Sequence, residues 1–254
     1  MAAADEAHDQ FESGKSHSLT QASLTLPMHF DRIQTVLALG AHPDDIEIGC
    51  GGTLLSLAAS CPGLEVHWVV LSGTPQRAAE AHASCSAFCA EAGSVHYVQK
   101  EFRDSFFPSQ GIELKEFLHQ LAQRVRPDLI LTHFREDRHQ DHRAVAEFTW
   151  NAFRHQTILE YEIPKWDGDL QTPNLYVPID ATIANRKLDL LLTHFPSQRE
   201  KYWFDRETFS SLLRIRGLEA HSSTRYAEGF HARKLRVEMP RLPAGRAGAS
   251  PTLN

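Results

Sequence analysis

The hydrophobic pattern along the chain predicts a covered, mostly parallel sheet. Val36-Leu37-Ala38-Leu39-Gly40 is an uninterrupted apolar run and reads as a strand buried on both faces. A helix from Gly49 to Ala59 follows, entered through glycines that let the backbone approach a neighbour or a ligand closely. Leu64 to Leu71 reads as a second strand, Gln76 to Glu91 as a helix, and Val95 to Val98 as a short third strand. From Ile112 to Val125, the residues Leu114, Phe117, Leu118, Leu121 and Val125 recur at helical spacing. Arg126-Pro127-Asp128 breaks that helix, and Leu129-Ile130-Leu131-Thr132-His133 forms a fourth strand. A further helix continues through Ala144, Val145, Ala146 and Phe148 to near His155.

This alternation predicts an α/β, Rossmann-like fold, with helices on both faces of the sheet and the active site at the carboxyl ends of the strands. A reversal of strand order between the first and fourth strands would bring the segments that follow them into one crevice. Phe102 to Pro108 reads as a loop whose phenylalanines pack. Ile158 to Asp169 mixes aromatics, charges and turn residues and also reads as a loop, with Trp166 either pinned at the surface or free to stack on a ligand ring. Asn174 to Ile179 is expected as a strand, and Ile183 to His194 and Arg206 to Gly217 as helices.

The chemistry concentrates after the first and fourth strands. Ala41-His42-Pro43-Asp44-Asp45 places an imidazole and two carboxylates within four residues, with Pro43 limiting the backbone between them. His42 and Asp45 could close on one divalent ion, leaving Asp44 to handle protons. The plainer alternative is that Asp44 or Asp45 caps the next helix and His42 merely ends a strand. The partner segment is Phe134-Arg135-Glu136-Asp137-Arg138-His139-Gln140-Asp141-His142-Arg143, in which His139 and His142 share one face of a helix's first turn. A catalytic metal site needs three protein ligands and an open position. His42, Asp45 and one of these two histidines make that count.

Ala41 to Asp45 with Gly49 to Gly52, together with the His-x-Asp-His block at 139–142, resembles the LmbE-like, or PIG-L-like, family of zinc-dependent N-deacetylases. The resemblance covers about Gln34 to Arg236. It implies that His42, Asp45 and His142 hold the zinc, or another divalent transition metal such as ferrous iron. It further implies Asp44 as general base and His139 as the side chain that steadies the oxyanion. Arg77 matches the family's sugar-holding arginine, and Asp104 matches a substrate-facing position more loosely. The implied substrate is a small N-acylated amino sugar or its conjugate. The block Tyr226-Ala227-Glu228-Gly229-Phe230 resembles a family segment that turns back to the active-site side; His221 just before it could reach the pocket, but a lone histidine in a polar loop is more often just exposed.

Composition narrows the alternatives. A formal charge of −6 argues against a nucleic-acid footprint, and 15 histidines are too many for their number to indicate a metal. Cys50, Cys61, Cys85 and Cys89 form no Cys-x-x-Cys pair and read as free thiols, which suits a reducing cytoplasm. No apolar run is long enough for a membrane span. Residues 1–30 read as a flexible or loosely packed extension, 31–238 as the deacetylase domain, and 239–254 as a flexible tail; a homo-oligomer is compatible with all of this. Gly49-Cys50-Gly51-Gly52 is not a dinucleotide fingerprint, which weakens an oxidoreductase reading. A non-catalytic carbohydrate-binding protein and a hydrolase of a non-sugar amide remain as alternatives.

Overall fold

The computed structural model describes residues 28–30 and 32–238. The expected tail, and the expected N-terminal extension apart from residues 28–30, lie outside the described residues. The strands are β1 (Thr35–Gly40), β2 (Glu65–Ser72), β3 (Ser94–Phe102), β4 (Leu129–His133), β5 (Thr157–Tyr161), β6 (Leu175–Ile179) and β7 (Tyr226–His231). The α-helices are α1 (Asp45–Ser60), α2 (Pro75–Phe88), α3 (Gly111–Arg124), α4 (Gln140–Ala152), α5 (Ala181–His194) and α6 (Arg206–Glu219). The strands form one sheet in the order β3-β2-β1-β4-β5-β7-β6, in which β7 alone runs antiparallel to its neighbours. The order reverses between β1 and β4, as the sequence predicts.

Side chains alternate across each strand, so successive residues serve opposite faces. Val36 and Ala38 of β1 join Val66, Trp68 and Val70 of β2 in a core shared with α1, α2, α5 and α6. Leu37 and Leu39 join Val69, Leu71 and Ile130 in a second core closed by α3 and α4. Burial on both faces explains why β1 and β4 read as unbroken apolar runs. Among the described residues, no helix is long and apolar enough to cross a membrane. Cys50, Cys85 and Cys89 are buried free thiols, and Cys61 is half-buried.

Several boundaries differ from expectation. The start of the 158–169 segment is not loop but strand β5, paired with β4 from Leu129↔Thr157 to His133↔Tyr161. Its Glu160 is fully buried, where it accepts from Trp150 Nε1 and the Arg135 amide. The Tyr226 to His231 segment is the antiparallel strand β7. The third strand extends to Phe102 because it pairs with β2 along nearly its whole length. His139 precedes α4 rather than lying in its first turn, and α1 begins at Asp45, four residues before Gly49.

Helix α1 is interrupted at Cys50, whose φ of −144° is not helical. The break would leave carbonyls and amides without partners, and one buried ion pair supplies them. Lys187 Nζ donates to the Ile48 carbonyl at 2.7 Å, and Glu228 accepts from the amides of Gly52 and Thr53 at 2.8 and 2.7 Å. Lys187 and Glu228 meet at 2.6 Å. The glycines admit these partners: a Cβ on Gly52 would lie 2.9 Å from Glu228 Oε1, and one on Gly49 would lie 2.1 Å from the Tyr161 ring.

Candidate active site

The carboxyl end of β1 delivers His42, Asp44 and Asp45. Asp44 occupies the N-cap position of α1 with φ of 93°, yet makes no side-chain capping bond. A left-handed backbone at a non-glycine residue costs about 1–3 kcal/mol, so capping does not explain this residue. Its Oδ1 instead accepts from Arg77 Nη2 at 3.0 Å, while its buried Oδ2 has no partner. Arg77 reaches Asp44 from the first turn of α2, which is fixed by Pro75 and by the Thr74 side chain accepting from the Arg77 amide. The same Nη2 also donates to the Pro43 carbonyl.

His42, Asp45 and His142 converge, with donor atoms within 4.8 Å of one another and all three residues buried. Their surroundings fix the imidazole protons. Nδ1 of His142 lies 2.9 Å from Asp137 Oδ2 and carries its proton there, leaving a lone pair on Nε2. Nε2 of His42 lies 3.2 Å from both Asp141 and Asp104, leaving a lone pair on Nδ1. The two lone-pair nitrogens are 3.2 Å apart, and Asp45 Oδ2 lies 3.3 Å from His42 Nδ1. Two imidazole nitrogens facing one another in a buried site are satisfied by a cation between them, either a shared proton or a metal ion, and two imidazoles with one carboxylate are a donor set that could hold such an ion. Carboxylates behind the histidines are the usual support for such ligands.

Without an ion, the same groups would hold a proton on His42 Nδ1 that a metal ion would have to displace. Burial works against charging His42, but hydrogen bonds to Asp104, Asp141 and Asp45 override it and hold the pKa well above the usual value. Burial would raise Asp45, yet His142 and His133 keep it far below its ordinary range. Burial, then His133, lowers His142 to about 3, so it stays neutral. Burial pushes Asp44 up to about 7 against the opposing pull of Arg77, near the value a general base needs at neutral pH.

His139 Nδ1 accepts from the Asp141 amide at 3.3 Å, so the neutral ring presents Nε2–H. Burial and the nearby His42 lower its pKa and favour that neutral form. Asp104 is half-exposed and touches His42, while Arg77 is engaged by Asp44. Both line the same cleft of about 130 Å³ as His42, Asp44, Asp45, His139 and His142.

Sequence reasoning missed Asp137, Asp141 and Lys165. Asp141 is fully buried and accepts from the amides of Ser105 and Phe107, tying the loop of Asp104 to α4. Lys165 Nζ bridges Asp137 at 3.0 Å and Asp169 at 2.7 Å. Asp137 and Asp141 stand in the histidine block and could have been suspected there, whereas the local partners of Lys165, Asp167 and Asp169, give no hint of its contact with Asp137. Trp166 is 61% exposed and lines the cleft, with Trp203 edge-on to it at 6.1 Å. His221 is exposed and does not line the cleft.

The PIG-L family model, described as GlcNAc-PI de-N-acetylase, matches residues 37–153. The deacetylase YaiS of Escherichia coli K12, itself uncharacterised, is 31% identical over 142 residues, 51% of this chain and 74% of that protein. The chain belongs to the PIG-L, or LmbE-like, family. The fold of this PIG-L chain is shared by the N,N'-diacetylchitobiose deacetylase of Pyrococcus horikoshii, with a TM-score of 0.62 and 20% identity over 78% of this chain and 83% of that one. It is shared equally by GalB, the 4-carboxy-2-hydroxymuconate hydratase of Pseudomonas putida, with a TM-score of 0.66 and 18% identity over 83% of this chain and all of that one. Since the fold hosts different reactions, the chemistry of this PIG-L chain has to be argued from its site.

Proposed function

We propose that this protein is a zinc-dependent deacetylase that hydrolyses the amide of an N-acylated amino sugar or its conjugate. The observation carrying this reading is the unpartnered Oδ2 of Asp44 beside three converging donors, His42, Asp45 and His142. These three would hold the ion. Zinc, when bound, supplies a Lewis acid that polarises the acyl carbonyl and lowers the pKa of water to about 7.

The chain's own groups would do the rest. Asp44 Oδ2 accepts the proton of the attacking water, with Arg77 fixing the other oxygen of the carboxylate. His139 donates Nε2–H to the developing oxyanion, and Asp44 then returns the proton to the leaving amine. Asp104 and Asp141 hold His42, and Asp137 holds His142. Trp166, with Tyr202 6.1 Å away, offers an aromatic face at the mouth of the cleft on which a sugar ring could stack. The family description and the deacetylases among the relatives support the reaction class. The buried free thiols of Cys50, Cys85 and Cys89 suit a reducing cytoplasm.

The test is elemental analysis for metal, paired with acetate release from a panel of N-acetylated sugars with and without a chelator. At least one zinc per chain, lost from the His42→Ala/His142→Ala form, with chelator-sensitive release is expected. Release that survives complete metal removal would refute the mechanism, and a chain that takes up no zinc would favour a carbohydrate-binding protein without catalysis.

A further inference from the structure

Far from the cleft, two histidines and a glutamate meet on the surface of the sheet. Glu65 opens β2 and His67 lies two residues on, so both side chains leave the same face. His96 of β3 is the register partner of His67 across the parallel ladder and therefore joins them on that face. Both imidazole Nε2 atoms lie 3.0 Å from Glu65 Oε1, and the two rings stack at 4.7 Å with 19° between their planes. The three donor atoms lie within 4.8 Å of one another. Strand β2 has eight residues, so its amino end lies on the order of 20 Å from the catalytic crevice at its other end.

We propose that Glu65, His67 and His96 form a second site for a divalent transition metal, distinct from the catalytic cleft and taking zinc or nickel. Donors about 2.0–2.1 Å from a tetrahedral zinc lie about 3.3 Å apart, so the two 3.0 Å spacings to Glu65 need to open by only a few tenths of an ångström, while the stacked rings would turn and give up the Nε2 protons they share with Glu65. One carboxylate and two imidazoles match the preference of these ions. The strands fix the two histidines relative to each other before any ion arrives, which reduces the ordering cost of binding. Side-chain exposures of 53% for His96 and 39% for Glu65 leave the donors open to solvent and the fourth position to water. An ion here would join the edge strand β3 to β2 through side chains as well as the backbone ladder.

The experiment is calorimetric titration with zinc chloride of the full chain, stripped by chelator, in a His42→Ala/His142→Ala background that lacks the cleft donors. One zinc per chain is expected to bind. Adding His96→Ala should weaken it by more than the roughly 10- to 100-fold seen when a metal ligand loses a hydrogen-bond partner, and Glu65→Gln should weaken it while preserving shape. If the background variant does not fold, the same titration of the wild-type chain and of its His96→Ala form should differ by one zinc. No binding outside the cleft, or binding indifferent to both His96→Ala and Glu65→Gln, overturns the proposal.

Discussion

Arg77 Nη2 lies 3.0 Å from Asp44 Oδ1, so the arginine expected to grip the substrate is already engaged with the proposed general base. Two roles are thereby joined in one residue: Arg77 lines the cleft and also holds the carboxylate that moves the proton. Asp44→Asn should retain the metal and lower kcat by about 100-fold or more. Metal loss in that variant would mean that Asp44 and Asp45 have exchanged roles.

The sign of the Arg77 effect can be worked out. A base acts when deprotonated, so turnover should rise with pH through the Asp44 pKa, which burial places near 7 and Arg77 pulls down. Arg77→Ala removes that pull, and the rising limb of the pH–rate profile should move to higher pH, alongside any increase in KM. A raised KM with an unmoved limb would leave Arg77 with substrate contact alone.

His142 and His139 stack at 4.6 Å but should fail differently. His142→Ala should abolish tight zinc binding. Asp137→Asn, which removes the acceptor at His142 Nδ1, should weaken zinc by about 10- to 100-fold. His139→Ala should keep the zinc and lower kcat by about 100-fold or more. Zinc content measured beside kcat for the three variants separates these outcomes.

The Lys187–Glu228 pair gives a stability prediction. Glu228 is 2% exposed and serves two amides, the Thr53 hydroxyl and Lys187. Glu228→Ala would strand a buried ammonium, a loss of about 3–5 kcal/mol. Denaturant unfolding should register it even in metal-free protein, although residue 228 lies far along the chain from every proposed ligand.

Glu47 predicts a pH dependence of stability. It is 1% exposed, its Oε1 has no partner, and burial pushes its carboxyl from 4.5 up to about 8. A carboxyl whose pKa is higher in the folded state contributes stability that is fully present below its unfolded pKa and is lost as pH rises through the folded one. The contribution should therefore fall between about pH 4.5 and 8, and Glu47→Gln should flatten this part of the Tm–pH curve. An unchanged slope in the variant would show that Glu47 titrates normally.

The strands that build the crevice were legible because burial on both faces leaves an apolar run in the sequence, as in Val36 to Leu39 and Leu129 to Leu131. The two histidine blocks were legible because their donors sit close together in the chain. What escaped was long-range. Glu160 makes Thr157–Tyr161 look polar, since only the fold brings Trp150 to neutralise its cost. Lys165 has a local partner in Asp169, four residues on, but its contact with Asp137 spans the whole of β5 in sequence and shows only in the fold. Glu228 was legible only as part of a block resembling a family segment, while its amide partners lie about 175 residues earlier.

The break in α1 has a consequence for how the chain can be divided. Every proposed zinc donor falls within the stretch matched by the family model, residues 37–153, but the carboxylate that restarts the helix after Cys50 and the ammonium that closes its first half come from β7 and α5. Expressed alone, the matched stretch would carry the proposed donors but leave the Ile48 carbonyl and the Gly52 and Thr53 amides without the partners that satisfy them across the break.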